Sequence, residues 1–207
     1  MAGWDFGTNS GDSGQKLEFT KFIPGGTVKL RVVGEEPYSR WTHWQPAHSR
    51  SINCPGRGCP ICEIRTHQKA NKEPYTQSVS RRFSILVLNR DTNKLEILEQ
   101  GKTFFEDLRD IMIELKEKDK SLLDVDIKVR RRGASKDDTV YRIDVGDEYP
   151  LSESDKKLIE NMVDLNEFYK PHTPEQILRI LNGETWESVM KKEEVEDDNV
   201  EEEIELK

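Results

Sequence analysis

The 207-residue chain lacks long apolar runs, and this absence excludes whole classes of protein. No stretch of about 18 apolar residues occurs, so the sequence predicts no transmembrane helix. The first fifteen residues are polar and rich in glycine and serine, without the charged and then apolar segments of a signal peptide. We therefore expect a cytoplasmic protein that does not contact membranes.

Cysteine is also scarce, since the chain has three and all lie within nine residues. They are too few and too clustered for a disulfide framework, which agrees with a reducing compartment. A glycine-rich phosphate loop with its lysine is missing as well, and the many carboxylates show no metal-ligand or acid–base spacing. The sequence therefore predicts a protein that is not an enzyme.

Apolar residues make up only 34% of the chain, which favours one compact core with solvated appendages. Residues 193–207 hold nine acidic residues and one lysine, whereas residues 1–192 hold 31 acidic and 31 basic residues. A block of like charge is expected to be disordered and to serve as an interaction segment. We predict a flexible arm at 1–16, a core at 17–190 and a disordered acidic tail at 191–207.

Alternating apolar and polar residues predict most of the strands. The predicted strands are 27–33, 38–44, 78–88, 94–98, 124–132 and 139–145. In the first of them, Lys29 and Arg31 are expected on the face opposite the apolar side chains.

Capping residues predict the helices. A capping box from Thr103 to Glu106 predicts a helix that runs to about residue 118. Ser152 or Ser154 predicts a second helix, and a third capping signal from Thr173 predicts a helix that ends near 182–183.

Five or six strands with one helix between the fourth and fifth are typical of an OB-type barrel. The predicted fold is thus mainly β with helices (α+β): a five-stranded OB-type barrel, an inserted loop at about 45–77 that contains the three cysteines, and C-terminal helices at about 151–190. Another small barrel and an α+β sandwich are the alternatives. A loop as long as 45–77 needs its own source of order.

The cysteines Cys54, Cys59 and Cys62 supply such a source, because their spacing fits a zinc site. A Cys-x-x-Cys turn directs two thiolates to one point, and the turn before Cys59 can fold Cys54 back onto them. Three free thiols or a redox pair are the alternatives. A thioredoxin-type pair lies in a βαβ unit, however, and the sequence shows no such unit.

A fourth zinc ligand is needed, and three histidines are candidates. In order of preference they are His43, His48 and His67. With four protein ligands the zinc has no open position, so the sequence predicts a structural ion and not a catalytic one.

Basic and aromatic residues interleave on the predicted strands, as in proteins that bind single-stranded nucleic acid. The candidate nucleic-acid-binding residues are Arg40, Trp41, Trp44, Arg81, Arg82, Phe83, Lys128, Arg130, Arg132 and Tyr141. Each also has a plain structural interpretation, and Tyr141 shares its predicted face with Ile143 and Val145, as a core residue would. The acidic tail can mimic a polyanion in a basic groove, and a solubilising role is its alternative.

The order of arm, barrel, cysteine lobe, helices and acidic tail resembles the phage single-stranded DNA-binding proteins of the T-even helix-destabilising type. The most specific part of the resemblance runs from His43-Trp44 through Cys54, Cys59 and Cys62 to Glu63. The resemblance implies an OB barrel with an inserted zinc lobe, and it favours His43 as the fourth ligand, with His48 as the rival.

The resemblance also implies a function: sequence-independent coating and protection of single-stranded DNA in phage replication, recombination and repair. The acidic tail would then recruit replication or recombination proteins. The family's arm uses basic residues for self-association along DNA, whereas residues 1–15 here contain none. A different class of function is a zinc-stabilised transcription or recombination accessory factor that acts mainly through protein contacts.

Overall fold

This computed structural model describes residues 17–135 and 138–191, without the side chains of Asp147 and Lys191. The described residues form eight strands and six helices. The strands are β1 (Glu18–Phe19), β2 (Thr27–Val32), β3 (Tyr38–Gln45), β4 (Arg50–Asn53), β5 (Ser80–Asn89), β6 (Lys94–Gln100), β7 (Val125–Arg132) and β8 (Val140–Glu148). The helices are α1 (Pro60–Ala70), α2 (Lys102–Lys116), α3 (Glu153–Glu160), α4 (Leu165–Phe168), α5 (Pro174–Leu181) and α6 (Trp186–Lys191). The predicted arm at 1–16 and the acidic tail, from residue 192 on, lie outside the described residues.

The strands form a large open sheet, and the α+β class predicted from the sequence is confirmed. The strand order is β1-β6-β5-β2-β7-β8, and β3 pairs with both β5 and β4. β1 is parallel to β6, whereas β2 is antiparallel to β5 and β7, and the β5–β6 and β7–β8 pairs are antiparallel too. Among the described residues, no ladder joins β8 back to β6 or β1.

The chain divides into two compact units. The first, which we call the sheet unit, contains the described residues up to Arg40 together with Arg81–Tyr169. The second, which we call the cysteine unit, contains Trp41–Ser80 and the described residues from Lys170 on. Two of the three boundaries fall inside β3 and after the first residue of β5, and the third follows α4. Within the described residues 17–135 and 138–191, no helix is long and apolar enough to span a membrane.

Residues 85–88 of strand β5 form an uninterrupted apolar run because both faces of the strand are covered there. Ile85 and Val87 face a core formed with β2, β7 and the phenylalanines of α2. Leu86 and Leu88 face a second core, which β6 and the segment of α3 and α4 complete. A strand buried on both faces loses the alternation of a half-buried strand, as here from 84 to 89.

Strand β2 shows one expectation that was wrong. Arg31 was expected on a solvent face, but it is 1% exposed. Its partner across the ladder is the buried Asp126, whose Oδ1 accepts from Arg31 Nε at 2.8 Å. The carbonyls of Leu123 and Tyr149 accept from the two remaining guanidinium nitrogens. The burial is sustained because the charge is paired and its donors are satisfied.

The helix caps were predicted with mixed success. The box at Thr173 is confirmed, and of the two candidate caps Ser152 and Ser154 the structure uses Ser152; both caps form reciprocal bonds with the residue three positions on. The box at Thr103 was wrong, because α2 begins at Lys102 with Gly101 as its N-cap and without a side-chain cap. Thr103 is already inside the first turn, so its hydroxyl has no cap position to fill.

The predicted loop at 45–77 contains regular structure. It holds a 3₁₀ turn at Pro46–His48, strand β4 and the eleven-residue helix α1. β4 pairs antiparallel with β3, so that His43 lies opposite Ile52. The cysteines therefore lie at the end of a strand and at the beginning of a helix, and regular backbone structure adjoins each of them.

Candidate metal centre

Four side chains predicted as metal ligands come together in the cysteine unit. The ligand atoms of His43, Cys54, Cys59 and Cys62 all lie within 4.8 Å of one another. His43 lies on β3, Cys54 follows β4, and Cys59 and Cys62 lie at the start of α1. The cluster could hold a single metal ion such as zinc, as predicted for these four residues.

The spacing of the donor atoms fits a tetrahedral ion. Zn–S bonds of about 2.3 Å and Zn–N bonds of about 2.0 Å place ligand atoms roughly 3.5–3.8 Å apart at the corners of a tetrahedron. The sulfurs of Cys54 and Cys62 are 3.6 Å apart. His43 Nε2 is 3.4 Å from the sulfur of Cys59 and 3.6 Å from that of Cys62. These three separations match a tetrahedral zinc site, and all of the donor atoms lie within 4.8 Å of one another.

The local sequence explains how the cysteines converge. Gly56 and Gly58 adopt positive φ angles of 79° and 71°, which let residues 55–58 reverse the chain within one short turn. The amide of Gly56 points back to the sulfur of Cys54 at 3.4 Å. Cys59 is the N-cap of α1 with Pro60 at the first helical position. Cys62 follows within the first turn, so two sulfurs lie at the positive end of the helix dipole, which favours thiolates.

The ring of His43 is held in the orientation that a ligand needs. Its Nδ1 lies 3.0 Å from the carbonyl oxygen of Ser78, which can accept only if Nδ1 carries the proton. Nε2 is then free of hydrogen and faces the sulfurs. A carbonyl that fixes the tautomer of a histidine is a common feature of metal sites.

Burial sets the protonation of the cluster. It raises the pKa of the Cys54 thiol, raises that of Cys62 to about 12, and lowers the pKa of His43. The neutral ring of His43 is the form that binds a metal. The thiols become thiolates when a cation lies among them, because its charge outweighs the cost of desolvation.

The two other candidate histidines do not join the cluster. His67 is exposed on α1, where its ring contacts Asn71. His48 is half-buried and lies beside Trp186, with ring centroids 6.3 Å apart. Of the three candidates, His43 alone has a nitrogen in contact with the sulfurs.

A core of apolar residues supports the metal cluster from the C-terminal helices. Cys59 packs in one buried cluster with Ile52, Ile61, Ile177, Ile180, Trp186 and Val189. Helices α5 and α6 therefore belong to the same unit as the cysteines, an association that the sequence did not indicate. This core joins residues that are far apart in the chain. The hydrophobic periodicity of the cysteine segment or of the C-terminal helices does not indicate that the two segments pack together.

His172 was missed by sequence reasoning. It is 4% exposed, its Nδ1 accepts from the amide of Asn53 at 3.1 Å, and its own amide donates to the Asn53 carbonyl at 3.0 Å. It thus holds the end of β4, directly before Cys54, against the C-terminal segment. Only its proximity to the capping box at Thr173 was visible in the sequence, and that gave no hint of this pairing.

Acid is expected to weaken the cysteine unit through His172. Burial lowers the pKa of His172 to about 4, against an ordinary value of about 6.5. The unfolded chain therefore takes up a proton that the folded one does not between these values, so stability present above pH 6.5 is lost as the pH falls toward 4. The loss from this group is about 3 kcal/mol.

Urea unfolding between pH 7 and 4 measures this loss. His172→Asn keeps an acceptor for the Asn53 amide but cannot titrate, so its unfolding free energy should fall less with acid than that of the wild type. His67→Asn, at an exposed position, should retain the wild-type profile. Identical profiles for His172→Asn and wild type would contradict the role of His172.

The residues predicted to bind nucleic acid fall into an exposed group and a packed group. Trp41 and Trp44 are 52% and 39% exposed. Exposed basic residues are Arg81, Arg82, Lys128, Arg130 and Arg132. These side chains are accessible to a ligand.

The packed group makes internal contacts. Arg40 pairs with Glu99 at 2.5 Å and lies over the ring of Tyr169. Phe83 packs on Phe105, and Tyr141 makes edge contacts with Phe22 and Phe104 beside the core. These three residues stabilise the sheet unit, which for Tyr141 is the structural alternative weighed from the sequence.

Comparison with known proteins adds no relative: no family model matches the chain, and neither the curated proteins nor the solved structures searched contain a match.

Proposed function

We propose that this chain is a sequence-independent single-stranded DNA-binding protein whose cysteine unit is organised by one structural zinc ion. One observation carries the proposal: two tryptophans are exposed on β3, the strand that also supplies the histidine of the metal cluster. Large aromatic side chains are enriched at binding surfaces relative to the rest of a protein surface. Nucleobases suit them, since every base has a face on which an aromatic ring can stack.

The charge of residues 41–80, the first of the two segments of the cysteine unit, supports the proposal. Residues 41–80 contain five basic and two acidic residues, whereas the whole chain is acidic. Tyr75 is 53% exposed, and the guanidinium of Arg65 lies 4.0 Å from its ring centroid. A basic surface with exposed aromatic rings attracts the phosphates and stacks the bases of an unpaired strand.

Ser78 links the metal cluster to the tryptophans. Its carbonyl contacts the ring of His43, and its hydroxyl accepts from the amide of Trp44 at 3.1 Å. Trp41 is tied to the cluster as well, because its carbonyl accepts from the amide of Cys54 at 2.9 Å. A bound zinc therefore fixes the backbone on which both indoles are carried.

The strand order supports an OB-type barrel as the framework. Strands β2, β5 and β6 form an antiparallel meander, and β7 pairs with β2 on its free side. An OB fold has this Greek-key order and a helix between its third and fourth strands, which is the position of α2 here. In such a barrel the cysteine segment would lie in the loop between the first two strands, one of the loops that bind oligonucleotides in that fold.

The biological setting follows the resemblance to the phage helix-destabilising proteins. The protein would coat single-stranded DNA during replication, recombination and repair, without acting as an enzyme. Its acidic segment at 193–207 would recruit replication or recombination proteins.

Binding to single and double strands tests the proposal. We expect an unpaired oligonucleotide to bind far more tightly than a duplex of the same length, with little dependence on sequence and a steep decrease with salt. Fluorescence anisotropy at two salt concentrations measures this. Equal or tighter duplex binding would contradict the proposal, and no binding to either would favour an accessory factor that acts through protein contacts.

A further inference from the structure

The exposed face of β2, β7 and β8 in the sheet unit is strongly basic. Lys128, Arg130 and Arg132 alternate along β7 and are all exposed, while Val129 between them is buried. Residues two apart on a strand lie about 6.8 Å apart. The three charges therefore form a straight row about 14 Å long on one surface.

Neighbouring strands add like charges beside this row. Lys29 of β2 lies directly opposite Lys128, and Arg142 of β8 lies directly opposite Arg130. Like charges in opposed positions of a ladder destabilise the sheet. Asp144 of β8 faces Lys128 on its other side. Like charges are opposed at two ladder positions of this face, and an anion bound there would relieve their repulsion.

Nearby carboxylates neutralise the flanking strands but not the central row. Lys29 pairs with Asp126 at 3.2 Å, and Arg142 pairs with Asp144 at 2.8 Å. Arg130 Nε reaches only the hydroxyl of Thr27 at 3.4 Å. In the described parts of the chain, no carboxylate forms an ion pair with Lys128, Arg130 or Arg132.

We propose that this face, which we call the β7 track, binds the sugar–phosphate backbone of a polynucleotide strand. The proposal rests on single-stranded DNA binding and adds a second contact surface, in a unit that contains neither the tryptophans nor the metal cluster. Tyr141 lies on the opposite side, against the core, so the track offers charge without a stacking platform. It therefore contributes affinity that depends on salt and not on the bases.

The chemistry of the track favours phosphates over carboxylates. Arginine presents a planar fork of donors that matches phosphate oxygens, and two of the three central residues are arginines. Their spacing of about 6.8 Å is twice the rise of about 3.4 Å per nucleotide in a stacked strand. An unstacked, extended backbone or every second phosphate of a stacked one fits this repeat. An acidic peptide, such as residues 193–207, is the competing occupant.

Salt dependence of oligonucleotide binding tests the proposal. The full-length triple variant Lys128→Gln, Arg130→Gln, Arg132→Gln removes three charges from the track. With about 0.7 counterions released per phosphate contact on a single strand, the slope of log K against log salt should become shallower by about 2. The control is Lys102→Gln, Lys116→Gln, Lys118→Gln on and beside α2, which changes the net charge equally and should leave the slope within about 0.5 of the wild type.

Tryptophan quenching and thermal stability separate the outcomes. The triple variant should quench to the same extent at saturation and melt no lower than the wild type, because opposed like charges are removed. An unchanged slope, with binding and quenching intact, overturns the β7 track but not the proposed function. Absence of oligonucleotide binding by the wild type overturns both.

Two further measurements address an acidic peptide as the occupant and a triple variant that does not fold. If the synthetic peptide 193–207 loses affinity for the triple variant while the oligonucleotide slope is unchanged, the track is an acidic-peptide site and the proposal fails. If the triple variant does not fold by circular dichroism, Arg130→Gln alone is measured. It should make the slope shallower by about 0.7, and an unchanged slope overturns the proposal.

Discussion

Replacing Cys59 with serine is expected to abolish zinc binding and to unfold the cysteine unit. Cys59 is 1% exposed, and its sulfur lies 3.4 Å from His43 Nε2 at the centre of the apolar cluster of that unit. Binding energy for a structural zinc is folding energy, and it amounts to about 10 kcal/mol or more in small zinc domains. Loss of one of four ligands should therefore cost about 5 kcal/mol or more of unfolding free energy.

Metal analysis and urea unfolding measure these two effects. Three of the four tryptophans, at positions 41, 44 and 186, lie in the cysteine unit, so intrinsic fluorescence reports mainly on it. His43→Ala should behave like Cys59→Ser. His67→Ala is the matched control, since His67 is an exposed histidine of the same unit that does not join the cluster. A Cys59→Ser variant with full zinc content and wild-type stability would contradict the structural role of the site.

Removing both exposed tryptophans of β3 is expected to cause a large loss of affinity for single-stranded DNA. Stacking contributes about 1–3 kcal/mol per base, so Trp41→Ala with Trp44→Ala should weaken single-strand binding by about 2–6 kcal/mol. The smaller figure already corresponds to a loss of roughly 30-fold in affinity. Since Trp41 and Trp44 are 52% and 39% exposed and neither is a metal ligand, the double variant should retain its zinc and unfold at nearly the wild-type urea concentration.

Anisotropy titrations with a single-stranded oligonucleotide measure the loss. Tyr149→Ala provides the control, because Tyr149 is an exposed aromatic residue of the sheet unit that lies outside the candidate residues. The salt slope should change little in the double variant, since stacking involves no counterion release. Wild-type affinity in the double variant, with zinc still bound, would show that the tryptophans serve another purpose.

Much of the fold follows from local patterns in the sequence. The alternation in residues 27–32 and the turn between β5 and β6 place the strands within one or two residues. The box at Thr173 succeeds because every part of the signal is local: the hydroxyl, the proline and the glutamine lie within four residues. The same pattern gave a wrong prediction at Thr103, because Gly101 is the N-cap and the helix begins at Lys102.

Long-range pairing is what the sequence leaves open. The local pattern predicts that Arg31 faces solvent. Its burial is explained only by Asp126, 95 positions later, which lies opposite it in the ladder. His172 likewise gains its role only when the C-terminal segment meets Asn53. For the metal site, the cysteine spacing predicted three ligands, but three histidines competed for the fourth position. His43 is distinguished by the ladder with β4 and by the carbonyl of Ser78, neither of which spacing reveals.

Oligonucleotide affinity before and after removal of zinc tests the central claim most directly. Anisotropy is recorded with the purified zinc protein, with the same protein after a chelator has removed the metal, and after zinc is restored. We expect about one zinc per chain, a loss of affinity of at least about 30-fold when both tryptophans lose their positions on zinc removal, and recovery on reloading. Equal affinity in all three states would show that zinc does not position the tryptophans for binding.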